Sequence, residues 1–328
     1  MKPVKPLPEP ASPRIRYSFI KILTGSDLSR RRLPLMVMDS GAAGPKVWLT
    51  GCVHGDEVGG MVIIQEIFGI LRRGGLKKGA VHAFPLMNPI GFEARSRYIT
   101  LSREDLNRSF PGDPNGSLAE RIAHRIFSVI SGENPALVLD LHNDWMKSVP
   151  YCSIDANPGP KHGDAYSFAR KIGEQSGFLE VVDREELAGT LSYSLIQRDV
   201  PSLTIELGES YVVNEKNVSY GVKSIMNILS FLDMIGPVEE PFEHYLAEAM
   251  RGKPLAFSSR PFSSASGIVR FAVRPGDIIK KGRIVARIYN PFGKLEETVR
   301  ALSDAVVLGH SDSSVVFPGT AVMAFGNM

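Results

Sequence analysis

Between Lys46 and Ile235, short apolar runs alternate with amphipathic helical stretches, and that alternation most narrowly limits the fold. The runs are Lys46–Val53 (KVWLTGCV), Ala80–Leu86, Ala136–Leu141 (ALVLDL) and Ser202–Leu207 (SLTIEL). After the first, Val58, Met61, Val62, Ile64, Ile67, Ile70 and Leu71 recur at helical spacing, which predicts a helix over Glu57–Arg73. Ser117-Leu-Ala-Glu120 reads as a capping box that opens a second helix reaching Ile130. Ala165–Gln175 and Asn217–Ile235 are two further helices, the last stopped by Gly236-Pro237. Buried-type strands separated by helices predict an α/β fold, a mostly parallel or mixed sheet flanked by helices. Upstream, Arg14–Lys21 and Leu35–Met38 are expected to pair as early strands.

From about Pro254 the helical periods vanish. Short strand-like runs at Gly267–Val273, Ile284–Tyr289, Glu297–Arg300, Ala305–Leu308 and Ala321–Phe325 lie between glycine and proline turns. The expected organisation is an α/β domain over residues 1–245 and a small C-terminal all-β domain over residues 255–328.

Charge and composition narrow the function classes. Lys plus Arg number 38 and Asp plus Glu 35, a formal charge of +3, without the clustered excess that nucleic acid requires. No apolar stretch is long enough to span a membrane. Four prolines among the first ten residues are unlike the apolar core of a secretory signal. Cys52 and Cys152, the two cysteines, fit a reducing compartment better than a disulfide framework. The cytoplasm is the expected location.

In open α/β sheets, chemistry gathers at the carboxyl ends of the strands. Here the first run ends in Gly51-Cys52-Val53-His54-Gly55-Asp56-Glu57, the third in Asp140-Leu141-His142-Asn143-Asp144, and the fourth contains Thr204-Ile205-Glu206-Leu207. Two imidazoles and one carboxylate form a catalytic zinc set with a position left for water or substrate. His54 and Glu57, three apart on one turn, can reach one ion, and a parallel sheet brings His142 beside them. One Zn2+ per chain is therefore expected at His54, Glu57 and His142. Glu206 stands at the right strand end to act as general base, with Glu209 as its rival. Asp56 and Asp144 could compete as ligands, but they are expected to be solvated or to support the ligands from behind, as carboxylates often hold the far nitrogen of a ligating histidine. Cys52 is expected to be a buried structural residue.

A second cluster, NPIGFEARSRY (Asn88–Tyr98) and DLNRSFPG (Asp105–Gly112), follows the second strand. Asn107 and Arg108 suit a carboxylate clamp, because the guanidinium fork offers two parallel donors and the amide a third. Arg108 could instead pair with Asp105 or Asp113 as a loop staple. Another arginine near the metal could polarise a carbonyl. The residues alone thus point to metal-assisted attack of water on an acyl group of a carboxylate-bearing substrate.

With its GCVHGDEVGG, NPIGFEARSRY, DLNRSFPG, DLHND, AGTL and TIELGE segments, the stretch from Val47 to Ile235 resembles the succinylglutamate desuccinylase/aspartoacylase family, a branch of the zinc carboxypeptidase superfamily. The resemblance implies a zinc-carboxypeptidase-like fold and a zinc-dependent deacylase of small N-acyl amino acids, N-acetyl-diaminobutyrate among them. It implies His54, Glu57 and His142 as zinc ligands, Glu206 as catalytic base and acid, and Asn107 and Arg108 as the substrate-carboxylate pair. It implies Arg97 as the carbonyl-polarising arginine, a role that Arg95 or Arg103 could also fill.

The C-terminal segment from Ser266 to Gly282 resembles half of a biotinyl/lipoyl-type sandwich, yet the turn Asn290–Lys294 lacks the context of a modified lysine. That domain is expected to shield the mouth of the site or mediate assembly, and the residues leave open whether the chain forms a homo-oligomer. A carboxypeptidase-type peptidase and a non-catalytic zinc- or ligand-binding relative are the rival readings.

Overall fold

The computed structural model describes residues 15–25, 28–185, 187–245 and 250–328, so the proline-rich beginning and Arg14 lie outside the described residues. In chain order the elements begin with β1 (Ile15–Thr24), β2 (Arg30–Asp39), β3 (Lys46–Gly51), α1 (Gly59–Gly74), β4 (Ala80–Phe84), α2 (Pro89–Ala94) and α3 (Leu118–Gly132). They continue with β5 (Leu137–His142), β6 (Lys147–Ser148), β7 (Tyr151–Ile154), α4 (Gly163–Gln175), β8 (Glu180–Val182), α5 (Leu191–Ile196), β9 (Ser202–Glu206) and α6 (Glu215–Phe231). Eight short strands follow: β10 (Leu255–Ser258), β11 (Gly267–Phe271), β12 (Ile278–Ile279), β13 (Ile284–Tyr289), β14 (Leu295–Arg300), β15 (Ala305–His310), β16 (Val315–Val316) and β17 (Met323–Asn327).

The predicted mixed α/β sheet is present. β4, β3, β5 and β9 run parallel side by side, β2 and β7 join them antiparallel, and β1 pairs antiparallel with β2 at the edge. The register sets Thr50 beside Asp140 and His142 beside Glu206. Three strand ends therefore deliver their polar residues to one edge of the sheet.

The two faces differ in chemistry. On β5, Leu137, Leu139 and Leu141 enter a core shared with Ile63, Ile64 and Ile67 of α1 and Ile225 and Ile228 of α6. Each such side chain removed from water contributes roughly 1.5–3 kcal/mol. The alternate residues of β5 face the other way: Val138 joins the core under α3 and α5, followed on that face by Asp140 and His142. β9 repeats the pattern, with Leu203 and Ile205 in the first core and Ser202, Thr204 and Glu206 on the opposite face. A polar face under an apolar roof makes the floor of a cavity.

Helix ends follow their chemistry. At α3 the capping box forms, the Glu120 N–H donating to Ser117 Oγ and the Ser117 N–H to Glu120 Oε2. α1 begins at Gly59, two residues after Glu57, so Glu57 sits in the loop before the helix and not in its first turn. α6 ends at Phe231, short of Gly236-Pro237. Four elements absent from the apolar pattern, α2, α5, β7 and β8, complete the surroundings of the site.

The all-β texture after Pro254 is also present. β14, β13, β11 and β16 form a separate four-stranded sheet. β10, β17, β15 and β12 continue the large sheet, joined through the parallel pairing of β10 with β8 and the pairing of β15 with β6. The two groups enclose their own core of Val269, Val285, Ile288, Val307 and Phe325. The Asn290–Lys294 turn is an exposed hairpin tip closed by Asn290 Oδ1, which accepts the Phe292 and Lys294 N–H groups. Among the described residues no helix is long and apolar enough to cross a membrane.

Gly55 illustrates how tightly the loop between β3 and α1 is seated. A Cβ there would lie 1.9 Å from the carbonyl carbon of Gly91, and the Gly55 N–H donates to Ser96 O at 3.0 Å. Overpacking typically costs about 1–3 kcal/mol. Gly55→Ala meets rigid backbone, so it is expected at the upper end of that range, read as a lowered denaturant midpoint. A midpoint equal to wild type would show that the loop has room to move.

Candidate functional site

The three residues expected to hold a metal converge. His54 Nδ1 lies 2.5 Å from Glu57 Oε1, and His142 Nδ1 lies 3.0 Å from Glu57 Oε2. One ligand atom from each of the three lies within 4.8 Å of the others, and all three side chains are buried. Loop geometry after β3 places the first two, and the last residue of β5 supplies the third.

Behind them stand two carboxylates, Asp105 and Asp140. His54 Nε2 lies 3.1 Å from Asp105 Oδ1, and His142 Nε2 lies 2.9 Å from Asp140 Oδ2. Asp56 and Asp144, expected to be solvated or to support the ligands, line the cavity, Asp144 accepting from the Tyr151 hydroxyl at 3.2 Å. The reason is periodicity: Asp140 is two residues before His142 on the same face of β5, whereas Asp144 lies beyond the strand end. Asp140 is itself fixed by the Thr50 hydroxyl at 2.6 Å.

Asn143 was not singled out by sequence, yet it ties the strand ends together. Its backbone N–H donates to Glu57 Oε2 at 3.0 Å, its Oδ1 accepts the Gly59 N–H at 3.1 Å, and its Nδ2 donates to Gly208 O at 2.6 Å. It thereby caps α1, which has no side-chain cap of its own.

Arg97 is the arginine beside the triad. Its Nη1 is 3.6 Å from Glu57 Oε1, and its Nε and Nη2 donate to Asp105 Oδ2 at 3.1 and 3.0 Å. Arg95 closes α2 in the left-handed region, Arg103 occupies a turn, and neither lines the cavity. Asn107 Nδ2 lies 3.5 Å from His142 Nε2, and its Oδ1 accepts the Leu191 N–H at 2.9 Å. Arg108 lines the cavity and donates from Nη1 to Asn107 O at 2.7 Å, while Asp105 is engaged by Arg97 and His54. Glu206 lines the cavity, and among the described residues its Oε2 has no hydrogen-bonding partner. Glu209 bonds the Asn214 amide instead and does not line it. Cys52 is fully buried, and burial pushes its thiol up to about 12. His124 is half-buried, with Nε2 3.4 Å from Ser128 Oγ.

The electrostatics fit a cation. Burial raises the Glu206 carboxyl well above its ordinary range, reinforced by Asp144 and Glu57. Burial alone would raise Glu57 too, but the two imidazoles hold it well below. Burial would lower His142, yet Asp140 and Glu57 together raise it well above the imidazole range. Two buried imidazoles and a buried carboxylate gathered within 4.8 Å of one another describe a site whose donors suit a divalent ion. The set of two imidazoles and one carboxylate is the zinc-type donor set.

These groups open onto a cavity of about 590 Å³. Its lining adds Ser153, Asp155, Asp183, Thr190, Ser192 and Thr204 from the polar face of the sheet and its roof. Phe257, Ser259, Asp312 and Ala324 close it from the C-terminal region.

Comparison with known proteins agrees with this picture. The chain is 27% identical, over 84% of its length and 80% of the relative's, to N-alpha-acetyl-L-2,4-diaminobutyric acid deacetylase of Halomonas elongata. Its fold matches the product-bound structure of the ectoine utilization protein EutE (DoeB) from Ruegeria pomeroyi, with TM-score 0.79, 22% identity and 98% of each chain covered. It also matches a succinylglutamate desuccinylase/aspartoacylase from Rhodobacter sphaeroides, with TM-score 0.78, 22% identity and 95% of each chain covered. A metallo-carboxypeptidase from Burkholderia cenocepacia shares the fold over 66% of this chain and 65% of its own, with TM-score 0.53 and 18% identity. The model of the succinylglutamate desuccinylase/aspartoacylase catalytic domain matches residues 43–232, more than half of the chain and the part that carries the His54–Glu57–His142 group, so the chain belongs to that family.

Proposed function

We propose that this chain is a zinc-dependent amidohydrolase that removes the acyl group from an N-acylated amino acid. The observation that carries the reading is the unpartnered Glu206 oxygen in the same cavity as His54, Glu57 and His142. A pure binding site has no use for an unpartnered buried carboxylate next to its ligands. The deacetylase name of the Halomonas elongata relative supports the amide as the bond cleaved.

His54, Glu57 and His142 would hold the ion, with Asp105 and Asp140 fixing the imidazole orientations from behind. Bound zinc supplies Lewis acidity, which polarises a carbonyl and lowers the pKa of water. Glu206 takes the proton of the attacking water and delivers it to the departing amine. Arg97, next to the triad and oriented by Asp105, faces the negative charge that develops on the carbonyl oxygen. Asn107 and Arg108 take the free carboxylate of the amino acid, which fixes the amide relative to Glu206. The wall formed by Phe257, Ser259, Asp312 and Ala324 supports a small substrate over an extended peptide, and gives the C-terminal region the role of closing the mouth.

Protein purified without chelator is expected to carry about one zinc per chain by elemental analysis. Protein that stays metal-free and fails to take up added zinc would remove the basis of the mechanism. Glu206→Gln keeps shape and loses the base, so turnover should fall about 10²–10⁴-fold while the zinc content is retained. Near-normal turnover would reassign the base. Arg108→Lys keeps the charge and loses the fork, and KM for N-acyl amino acids is expected to rise about tenfold or more. Amidating the substrate carboxyl should erase the difference between the two enzymes; if wild type cleaves amide and free acid equally well, Arg108 is no clamp. A peptide set assayed beside N-acetyl, N-succinyl and N-formyl amino acids separates deacylase from peptidase.

A further inference from the structure

A second cavity, of about 610 Å³, opens between the first four strands and the end of α3. It shares no lining residue with the cavity of the metal site, and its volume suits a small molecule. Its floor is one row of residues paired across the sheet. Arg16 of β1 stands beside Val37 of β2, Val37 beside His82 of β4, and His82 beside Trp48 of β3. Paired residues share a face, here the one that α3 covers. Leu35, two residues before Val37 on the same face, adds an apolar wall, and Val129 of α3 supplies the roof.

The polar groups of this row lack acceptors. Trp48 is fully buried, and its Nε1–H has no hydrogen-bonding partner among the described residues. A buried donor left unmade costs the desolvation of that group. His82, whose ring centroid is 5.1 Å from that of Trp48, is half-buried, and its ring makes no hydrogen bond among the described residues. Arg16 is exposed at the rim and makes no ion pair among the described residues. Glu133, the one carboxylate of the lining, is already held by Lys46 Nζ. Apolar walls with unpaired donors and one unpaired positive charge complement an apolar molecule that carries a single anionic acceptor. We propose that this cavity binds an amphipathic monocarboxylate, its apolar body against Leu35, Val37 and Val129 and its carboxylate toward Arg16 and His82. An amine of the same shape would meet the Arg16 charge head on. No residue of the metal site takes part, so the proposal stands apart from the deacylase reading.

Trp48 and Trp145 are the two tryptophans of the chain, and Trp145 lines the cavity of the metal site. Trp145→Phe therefore leaves Trp48 as the sole indole reporter. Octanoate, 1-octanol and octylamine are titrated into that protein and followed by Trp48 emission. Octanoate should give a saturable change and bind about two- to fivefold more tightly than 1-octanol, the range of a solvent-exposed ion pair, with octylamine the weakest. Arg16→Ala should erase the difference between octanoate and 1-octanol. Val129→Phe, which fills the cavity, should weaken both by about tenfold or more. No saturable change overturns the proposal, as does octylamine binding as tightly as octanoate. Unaltered octanoate affinity in a Val129→Phe protein that melts like wild type overturns it too. If Val129→Phe does not fold, Arg16→Ala decides, and an undiminished preference for octanoate there refutes the site. Calorimetric titration of Arg16→Ala in the otherwise unchanged chain reads the same loss without the reporter substitution.

Discussion

One buried carboxylate organises this structure. Glu57, 3% exposed, could not stay charged there without partners, and burial of an unpaired charge costs far more than any single contact returns. Its oxygens meet His54 and His142, the Asn143 N–H and, at longer range, Arg97. His142 and Asn143 come from the end of β5, while His54 and Glu57 follow β3, so the convergence can be made only if β3 and β5 are neighbours in register. The parallel pairing of Gly51 with Leu141 meets that condition. Asn143 then locks it by capping α1 and holding Gly208 beyond β9. The site and the sheet are thus one problem with one solution.

The strands of the α/β region were legible because continuous apolar runs of strand length, divided by helical periods, have few alternative arrangements. The convergence of His54, Glu57 and His142 was legible for the same reason, since they stand where such strands end. Less visible was the difference between the two faces. Ser202, Thr204 and Glu206 alternate with Leu203 and Ile205, and Asp140 and His142 with Leu139 and Leu141, yet in so short a run this reads as an apolar strand with polar interruptions. Recognising that alternation would have identified Asp140, and not Asp144, as the support of His142. Asp105 was hidden for another reason: it reaches His54 across 51 positions of sequence through a loop, and no local period encodes that contact. β7 and β8, four and three residues long, fall below the length at which a pattern can be told from chance.

The C-terminal region shows what local texture can and cannot report. Glycine- and proline-punctuated runs correctly announce β structure, but hydrogen-bonding partners are chosen by exposed sheet edges elsewhere. β8 presents such an edge and β10 takes it in parallel, while β15 takes β6. Unpaired strand edges are liabilities in water, and covering them is a sufficient physical reason for the two groups of strands to join. The same joinery brings Phe257, Ser259, Asp312 and Ala324 to the cavity wall.

That shared wall ties together segments far apart in the gene. A ligand in the cavity touches loops encoded near the start of the chain and strands encoded near its end. Both parts line one cavity, so a bulkier residue at Ala324 or a longer loop after β3 would reduce the same space. New specificities in such a protein arise most easily as paired changes across the two regions. Exchanging the C-terminal strands between relatives would transplant part of a binding pocket along with them, so those strands are poor candidates for a neutral tag or a removable tail.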